Sequence, residues 1–289
     1  MTERLAETTR RVENLQQLEA VVTAMRGISA SRTQQAHGLL LGLRTHTAVI
    51  AGAISQALAL MPEDRQPATA RTRRTAVIVF CAEQGFAGAF NDRMLDAIGT
   101  QKDTRDIFLI GTRGATLARE RGIPLAWQSA MVPHATLVAA LAGRIADALY
   151  DWLSDQAGRR VDVLVPTWTA GGGIMPEQRS LLPFDFRRFA VSAPGQPPLI
   201  TLAPPVLLAR LAEEYVFAEL CEAALTAFAA ENEARVAAML SAKGNLENMR
   251  SDLQALERQI RQEEITAEVV ELASGAAARR DVGIGQQSA

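Results

Sequence analysis

Met239–Ile260 reads MLSAKGNLENMRSDLQALERQI, and the placing of its apolar residues decides the fold. Met239, Ala242, Leu246, Met249, Leu253, Leu256 and Ile260 follow spacings of three and four in strict alternation, the period of about 3.5 residues that marks a coiled-coil seam. Beyond Ile260 the stripe shifts. Glu263 and Ala267 take the next positions while Ile265, Val269 and Leu272 restart it in a new phase, as a stutter does. No proline interrupts the helical period from Pro205 to Ala278, which predicts one helix over 205–278, roughly 105 to 110 Å long.

The other end of the chain matches. Residues 1–61 contain no proline, and Val12, Leu15, Leu18, Val22 and Met25 recur at spacings of three, three, four and three, with Val21 and Ile28 on the same broad face. Pro62 and the polar run EDRQPATARTRR end the pattern. A helix over 1–61 would run roughly 85 to 90 Å. Gly27, Ser29, Ala30 and Ser31 read equally as a place of close helix approach or as a weak point, since an interior Gly costs about 1 kcal/mol against Ala.

Between these segments the period changes. AVIVFCA (Ala76–Ala82), DIFLIG (Asp106–Gly111) and VDVLVPTW (Val161–Trp168) are short, β-branched runs bounded by Gly, Pro or charge. Helical patterns lie at Asp92–Ile98, Gly114–Arg121 and Thr136–Gln156. This alternation predicts a central Rossmann-like α/β domain over 75–198, built on a mostly parallel sheet. The fold class is thus α/β, with two long terminal helices paired antiparallel as a coiled coil. Neither helix can bury its stripe against a domain whose radius of gyration is about 14 Å. They need each other or partners, and each fully buried Leu or Met contributes roughly 1.5 to 3 kcal/mol. Residues 279–289 read as a flexible tail.

Composition narrows the function. Of 289 residues 48% are hydrophobic, the formal charge is -2 and the pI is near 6.0, so no positive field draws nucleic acid or anionic lipid. The N-terminal TERLAETTRRVE has no secretory pattern. The uncharged stretch Thr45–Met61, broken by His46, Gly52, Ser55 and Gln56, falls short of a membrane span, so membrane association is expected only through partners.

Catalytic signals are weak. GFAGAF (Gly85–Phe90) follows a strand and precedes a helix but lacks the full G-x-G-x-x-G and G-x-x-x-x-G-K-[ST] patterns. Ile110–Ala115 reads as a strand-to-helix turn, and Gly171, Gly172 and Gly173 as a mobile loop. His37, His46 and His134 form no metal-ligand spacing, and Cys81 and Cys221 read as buried thiols. Glu213 and Glu214 beside Arg210, like Glu263 and Glu264 beside Arg261, read as solvated helix charge. The expectation is a chain that is not an enzyme, with no cofactor and no metal.

ITAEVVELASGAAA (Ile265–Ala278) resembles the C-terminal signature of the F-type ATP synthase gamma subunit family, with Ile-Thr, a Glu two residues on, an acidic residue three further and a Gly-Ala pair. VTAMRGISASR (Val22–Arg32) is similar to that family's early T-x-A-M helix, ENEARVAAM (Glu231–Met239) to its A-A-R-M-x-A-M region, and AEQGFAGAFN (Ala82–Asn91) to its D-x-G-L-C-G-x-x-N loop. The likeness runs through the whole chain in order, strong at both ends and weak in the middle.

The resemblance implies a central-stalk rotor subunit, coupling ion-driven rotation to ATP synthesis or hydrolysis in a ring of alpha and beta subunits. Its partners would be that ring, the epsilon subunit and the membrane rotor ring, at the cytoplasmic face of the bacterial inner membrane. Carried over residue by residue, Met25 falls on a shaft methionine near the bearing, and Arg235, Gln262, Thr266, Glu268 and Glu271 on polar positions associated with coupling. TLAPP (Thr201–Pro205) stands where the family has an acidic E-P-D-P segment, and Glu83, Phe86 and Ala87 stand where Asp, Leu and Cys are common. Such divergence suits an alternative bacterial F-type ATPase. Two other readings remain open at this point: a coiled-coil scaffold, and a nucleotide-binding α/β enzyme.

Overall fold

The structure, a computed structural model, describes residues 2–61, 74–99, 105–154, 159–169, 171–190 and 198–284. Two long helices, α1 (Thr2–Ala59) and α5 (Pro204–Ile284), enclose the remaining elements in sequence. The chain divides into two compact units. One is formed by Met1–Arg26 with Met239–Ala289, the other by Gly27–Ala238.

In the first unit the start of α1 lies against the end of α5. Arg250 donates to the Glu19 carboxylate at 2.7 Å, and the Thr9 hydroxyl donates to Glu257 at 3.3 Å. Rising numbers on one helix meet falling numbers on the other, so the pair is antiparallel. The inward stripe of α1 passes through Leu5, Thr8, Val12, Leu15, Glu19 and Val22. That of α5 passes through Met239, Lys243, Leu246, Arg250, Leu253, Glu257, Ile260 and Glu264, again at alternating spacings of three and four.

This stripe shares Leu15, Val22, Met239, Leu246, Leu253 and Ile260 with the predicted seam but departs from it elsewhere. Leu18 and Met249 are half exposed and Leu256 is 36% exposed. The physical reason is visible at the alternate positions. Arg250 and Glu257 lie inward because their long stems pack on apolar surface while their heads find partners on α1, so a count of apolar residues alone places the seam one residue early.

The second unit is built on a five-stranded sheet in the order β3-β2-β1-β4-β5. Strands β1 (Thr75–Phe80), β2 (Arg105–Ile110), β3 (Trp127–Ser129) and β4 (Arg160–Thr169) run parallel, and β5 (Gly173–Leu182) returns antiparallel to β4. Helices α2 (Phe90–Asp96), α3 (Thr112–Glu120) and α4 (Val138–Ser154) fill the connections. The central strand TAVIVF is buried along almost its whole length, as a β-branched run flanked by parallel neighbours must be. Its alternate residues serve opposite faces. Ala76, Ile78 and Phe80 pack with Leu141 and Ile145 of α4 and with Leu220, Ala224 and Phe228 of α5, whereas Val77 and Val79 pack with Phe90 and Met94 of α2 and Ala115 and Ala118 of α3.

Gly171–Gly173, expected as a mobile loop, belong to the β4–β5 hairpin turn. Gly171 and Gly173 take φ values of 86° and 70°, which glycine adopts without a Cβ penalty, and Arg93 donates to the carbonyls of Gly172 and Ile174. By length and composition α1 is apolar enough to cross a membrane. One face of its second half packs into a core, with Ile50, Ile54, Ala57 and Leu58 buried beside Phe189, Leu208 and Ala218. Helix α5 continues to Ile284, into the segment expected as a tail, and residues 285–289 of that segment lie outside the described residues.

Ile260 is 2% exposed and Leu256 36%, so the two Asp substitutions separate the observed stripe from the predicted one. Ile260→Asp places an unpaired charge in the seam and costs several kcal/mol in urea unfolding followed by far-UV circular dichroism, while Leu256→Asp costs less. A greater loss for Leu256→Asp would contradict the stripe described here.

Candidate functional site

The loops at the carboxyl ends of β1 and β2 are where a doubly wound sheet ordinarily holds a ligand. In this chain they are filled by its own side chains. Glu83, just past β1, accepts hydrogen bonds from the Thr112 backbone N–H at 2.9 Å, the Thr112 hydroxyl at 2.7 Å and the Met131 N–H at 2.9 Å. The carboxylate therefore occupies the start of α3, a helix N-terminus of the kind that otherwise attracts an anion such as phosphate. Two glycines let α3 approach so closely. At Gly111, with φ 112°, a Cβ would run into the Cys81 carbonyl, and at Gly114 it would run into the Cys81 side chain.

The loop itself is held by α5. The Glu231 carboxylate accepts from the backbone N–H groups of Glu83 and Gln84, each at 3.1 Å. Arg235, one turn further along, donates to the Gly85 carbonyl at 3.0 Å, to Asn232 at 3.2 Å and to Glu231 at 2.6 Å. Asn232 donates in turn to the Phe228 carbonyl at 2.8 Å, and Asn91 accepts from the Ala82 N–H at 2.7 Å. The N–H groups of Glu83 and Gln84, which in a glycine-rich phosphate loop would face a nucleotide, are thus bound to a carboxylate of the same chain. No metal-holding group of His, Cys, Asp and Glu forms among the described residues. His37 and His46 instead pair with Glu233 and Glu214.

The structure divides the predicted coupling residues. Gln262, Thr266, Glu268 and Glu271 are exposed on α5, and Gln262, Thr266 and Glu271 line one shallow groove. Met25 is half-buried on α1. Arg235 is different. At 3% exposure and with its guanidinium spent on Gly85, Asn232 and Glu231, it has no surface for a partner, and its assignment as a partner contact is corrected to an internal one. Sequence reading missed Glu231, Asn232 and Glu83 as a network. A signal was present in TAFAAENEARVAAM (Thr226–Met239), where charged residues sit in an alanine-rich stretch that small residues mark as closely packed.

A family model described as ATP synthase matches residues 4–278. The gamma chain of Clavibacter michiganensis subsp. michiganensis is 25% identical over 285 residues, spanning 93% of this chain and 95% of that one. The chain belongs to the ATP synthase gamma family. The gamma chain of Frankia casuarinae is 27% identical over 292 residues, covering 96% of this chain and 98% of its own length. Among solved structures, a rotor chain of the Euglena gracilis mitochondrial ATP synthase superposes with a TM-score of 0.59 over 92% of this chain and 100% of that one, at 12% identity; this likeness speaks for the fold. As a family member the chain is a gamma subunit of an ATP synthase, part of a membrane-associated complex.

Burial, aided by the nearby Glu231 carboxylate, pushes the Cys81 thiol from 9.0 up to about 12. The folded chain keeps this proton where an unfolded one releases it. The resulting stability is whole below the ordinary thiol value and is lost as pH rises from about 9 towards about 12. Cys81→Ala removes that contribution, so its urea midpoint should fall less steeply above about pH 9 than that of the native sequence. Parallel pH profiles would show the thiol has no such part.

Proposed function

We propose that the paired helix ends of the first unit turn inside a ring of alpha and beta subunits, while the α/β domain engages epsilon and the membrane rotor ring. Ion-driven rotation is thereby coupled to ATP synthesis or hydrolysis, at the cytoplasmic face of the bacterial inner membrane. The observation that carries this reading is the outer surface of the first unit. Leu18, Met249, Leu256, Ile265, Val269 and Leu272 are large, apolar and exposed, although the antiparallel pairing has already buried a stripe of its own. Apolar side chains gathered on the outside of one unit in this way mark a surface that meets partners. Their distribution also differs between α1 and α5, so rotation presents different side chains to otherwise equivalent neighbours and biases their conformations unequally.

Within this reading Gln262, Thr266, Glu268 and Glu271 supply polar contacts to the ring, and Met25 a bearing contact. The solved rotor and central-stalk chains that share the fold support the same reading. A scaffold that pairs with itself through the heptads would dimerise with concentration in sedimentation experiments, without any need for alpha and beta.

Co-expression with alpha, beta, epsilon and the membrane subunits tests the proposal, with one copy of the chain and ATP-driven ion pumping expected in the purified complex. Gln262→Ala with Glu268→Ala should lower ring ATP hydrolysis severalfold while leaving the melting of the isolated chain unchanged, since both side chains are exposed. Hydrolysis and pumping at native levels in that double variant would remove these residues from the coupling surface.

A further inference from the structure

Ala146, Leu149, Tyr150 and Leu153 form a stripe at helical spacing on α4. Across a cavity of about 300 Å³ they meet Ala209, Ala212, Val216 and Phe217 of α5. Packed helices ordinarily leave no gap larger than a water molecule. This one arises from the sequence of α5, where Ala209 and Ala212 stand at positions that a Leu or Phe would fill. The walls are held open. Leu149 and Leu220, the innermost of the lining residues, are 3% and 1% exposed and belong to the core under the sheet. Phe184, another wall, is fixed by ring contacts with Phe186 at 4.7 Å and with Phe189 and Tyr215 at 5.6 Å each.

Size and chemistry together select the occupant. An ordered water needs two to four polar partners, and Glu213, the one charged side chain of the lining among the described residues, is already held by Arg210 at 2.8 Å. A partner helix, about 10 to 12 Å across with its side chains, exceeds the space. A cavity of about 150 Å³ lined by Leu, Ile and Phe takes up benzene, so twice that volume suits two fused rings. Tyr150, Phe184 and Phe217 offer aromatic surfaces for such rings to pack on. Tyr150 is 76% exposed and gives the mouth a hydroxyl, while the Glu213 carboxylate at the margin disfavours an anion.

We propose that the cavity between α4 and α5 is a binding site for a neutral, fused-ring aromatic molecule carrying one hydroxyl or carbonyl group. The rings lie among Phe184, Phe217 and Leu220, and the polar group meets Tyr150 at the mouth. The site is built within the second unit alone and does not depend on the stalk reading.

The test titrates 2-naphthol into the full chain, with the fluorescence of the probe as the first readout and the melting temperature of the protein as the second. Saturable binding at a single site is expected, with a Kd of about 100 μM or tighter for a ligand of about eleven heavy atoms. The melting temperature should rise with probe concentration, since a ligand that binds only the folded chain stabilises it. Ala212→Leu fills the cavity and should weaken binding about tenfold or more, while the melting temperature without probe stays the same or rises. Tyr150→Ala, at an exposed position, removes the hydroxyl and one aromatic wall and should weaken binding about fivefold. Absence of saturable binding, or native affinity in both variants, would overturn the site. Equal affinity for 2-naphthoate would overturn the neutral class of ligand. Loss of probe binding once the chain is assembled with alpha, beta and epsilon would give the cavity to a partner's side chain and overturn the small-molecule site.

Discussion

Each of the two long helices has one face that water disfavours and too little other protein to cover it. Helix α1 runs for 58 residues and α5 for 81, and the intervening elements supply a sheet of five strands. In the second unit that sheet covers part of both helices, with Ala36 and Leu40 of α1 sharing a core with Leu220 and Phe228 of α5. In the first unit the helices have only one another. Val12, Leu15, Met239 and Ile260 become buried solely because an antiparallel partner is present, and cooperative pairing of this kind sustains helices whose isolated stability would be marginal.

The α/β domain shows how a widespread architecture is kept and its ordinary site closed. Phosphate sites in such sheets depend on free backbone N–H groups and an uncapped helix start. Here Glu83 caps α3 and Glu231 takes the loop N–H groups. The chain's own anions satisfy what a nucleotide would otherwise satisfy, so fold and ligand part company, in keeping with the general independence of function from fold. The same substitution fastens α5 to the domain.

Much of this was legible in the sequence. The β-branched runs at Ala76–Ala82, Asp106–Gly111 and Val161–Trp168 read as strands because burial on both faces leaves continuous apolar stretches. Strand β5 was not legible, since Glu177, Gln178, Arg179 and Ser180 are exposed on an edge and carry no apolar alternation, and β3 is only three residues long. The seam was half legible. Leu246, Leu253 and Ile260 were found by their spacing, but Arg250 and Glu257 occupy the intervening positions through partners on α1 that no local pattern announces. Arg235 illustrates the same limit for the site. Resemblance marked the position, while its burial and its bond to Gly85, 150 residues away in sequence, exist only in the folded chain.

The inward Arg250 and Glu257 also bear on longitudinal alignment. A wholly aliphatic groove would let paired helices slip by a heptad at modest cost, because one Leu replaces another. An Arg that meets Glu19 and a Glu that meets Thr9 are satisfied in a single alignment and stranded in any neighbouring one. The polypeptide thus carries its own key and keyway, and its two ends find their mutual offset without a template.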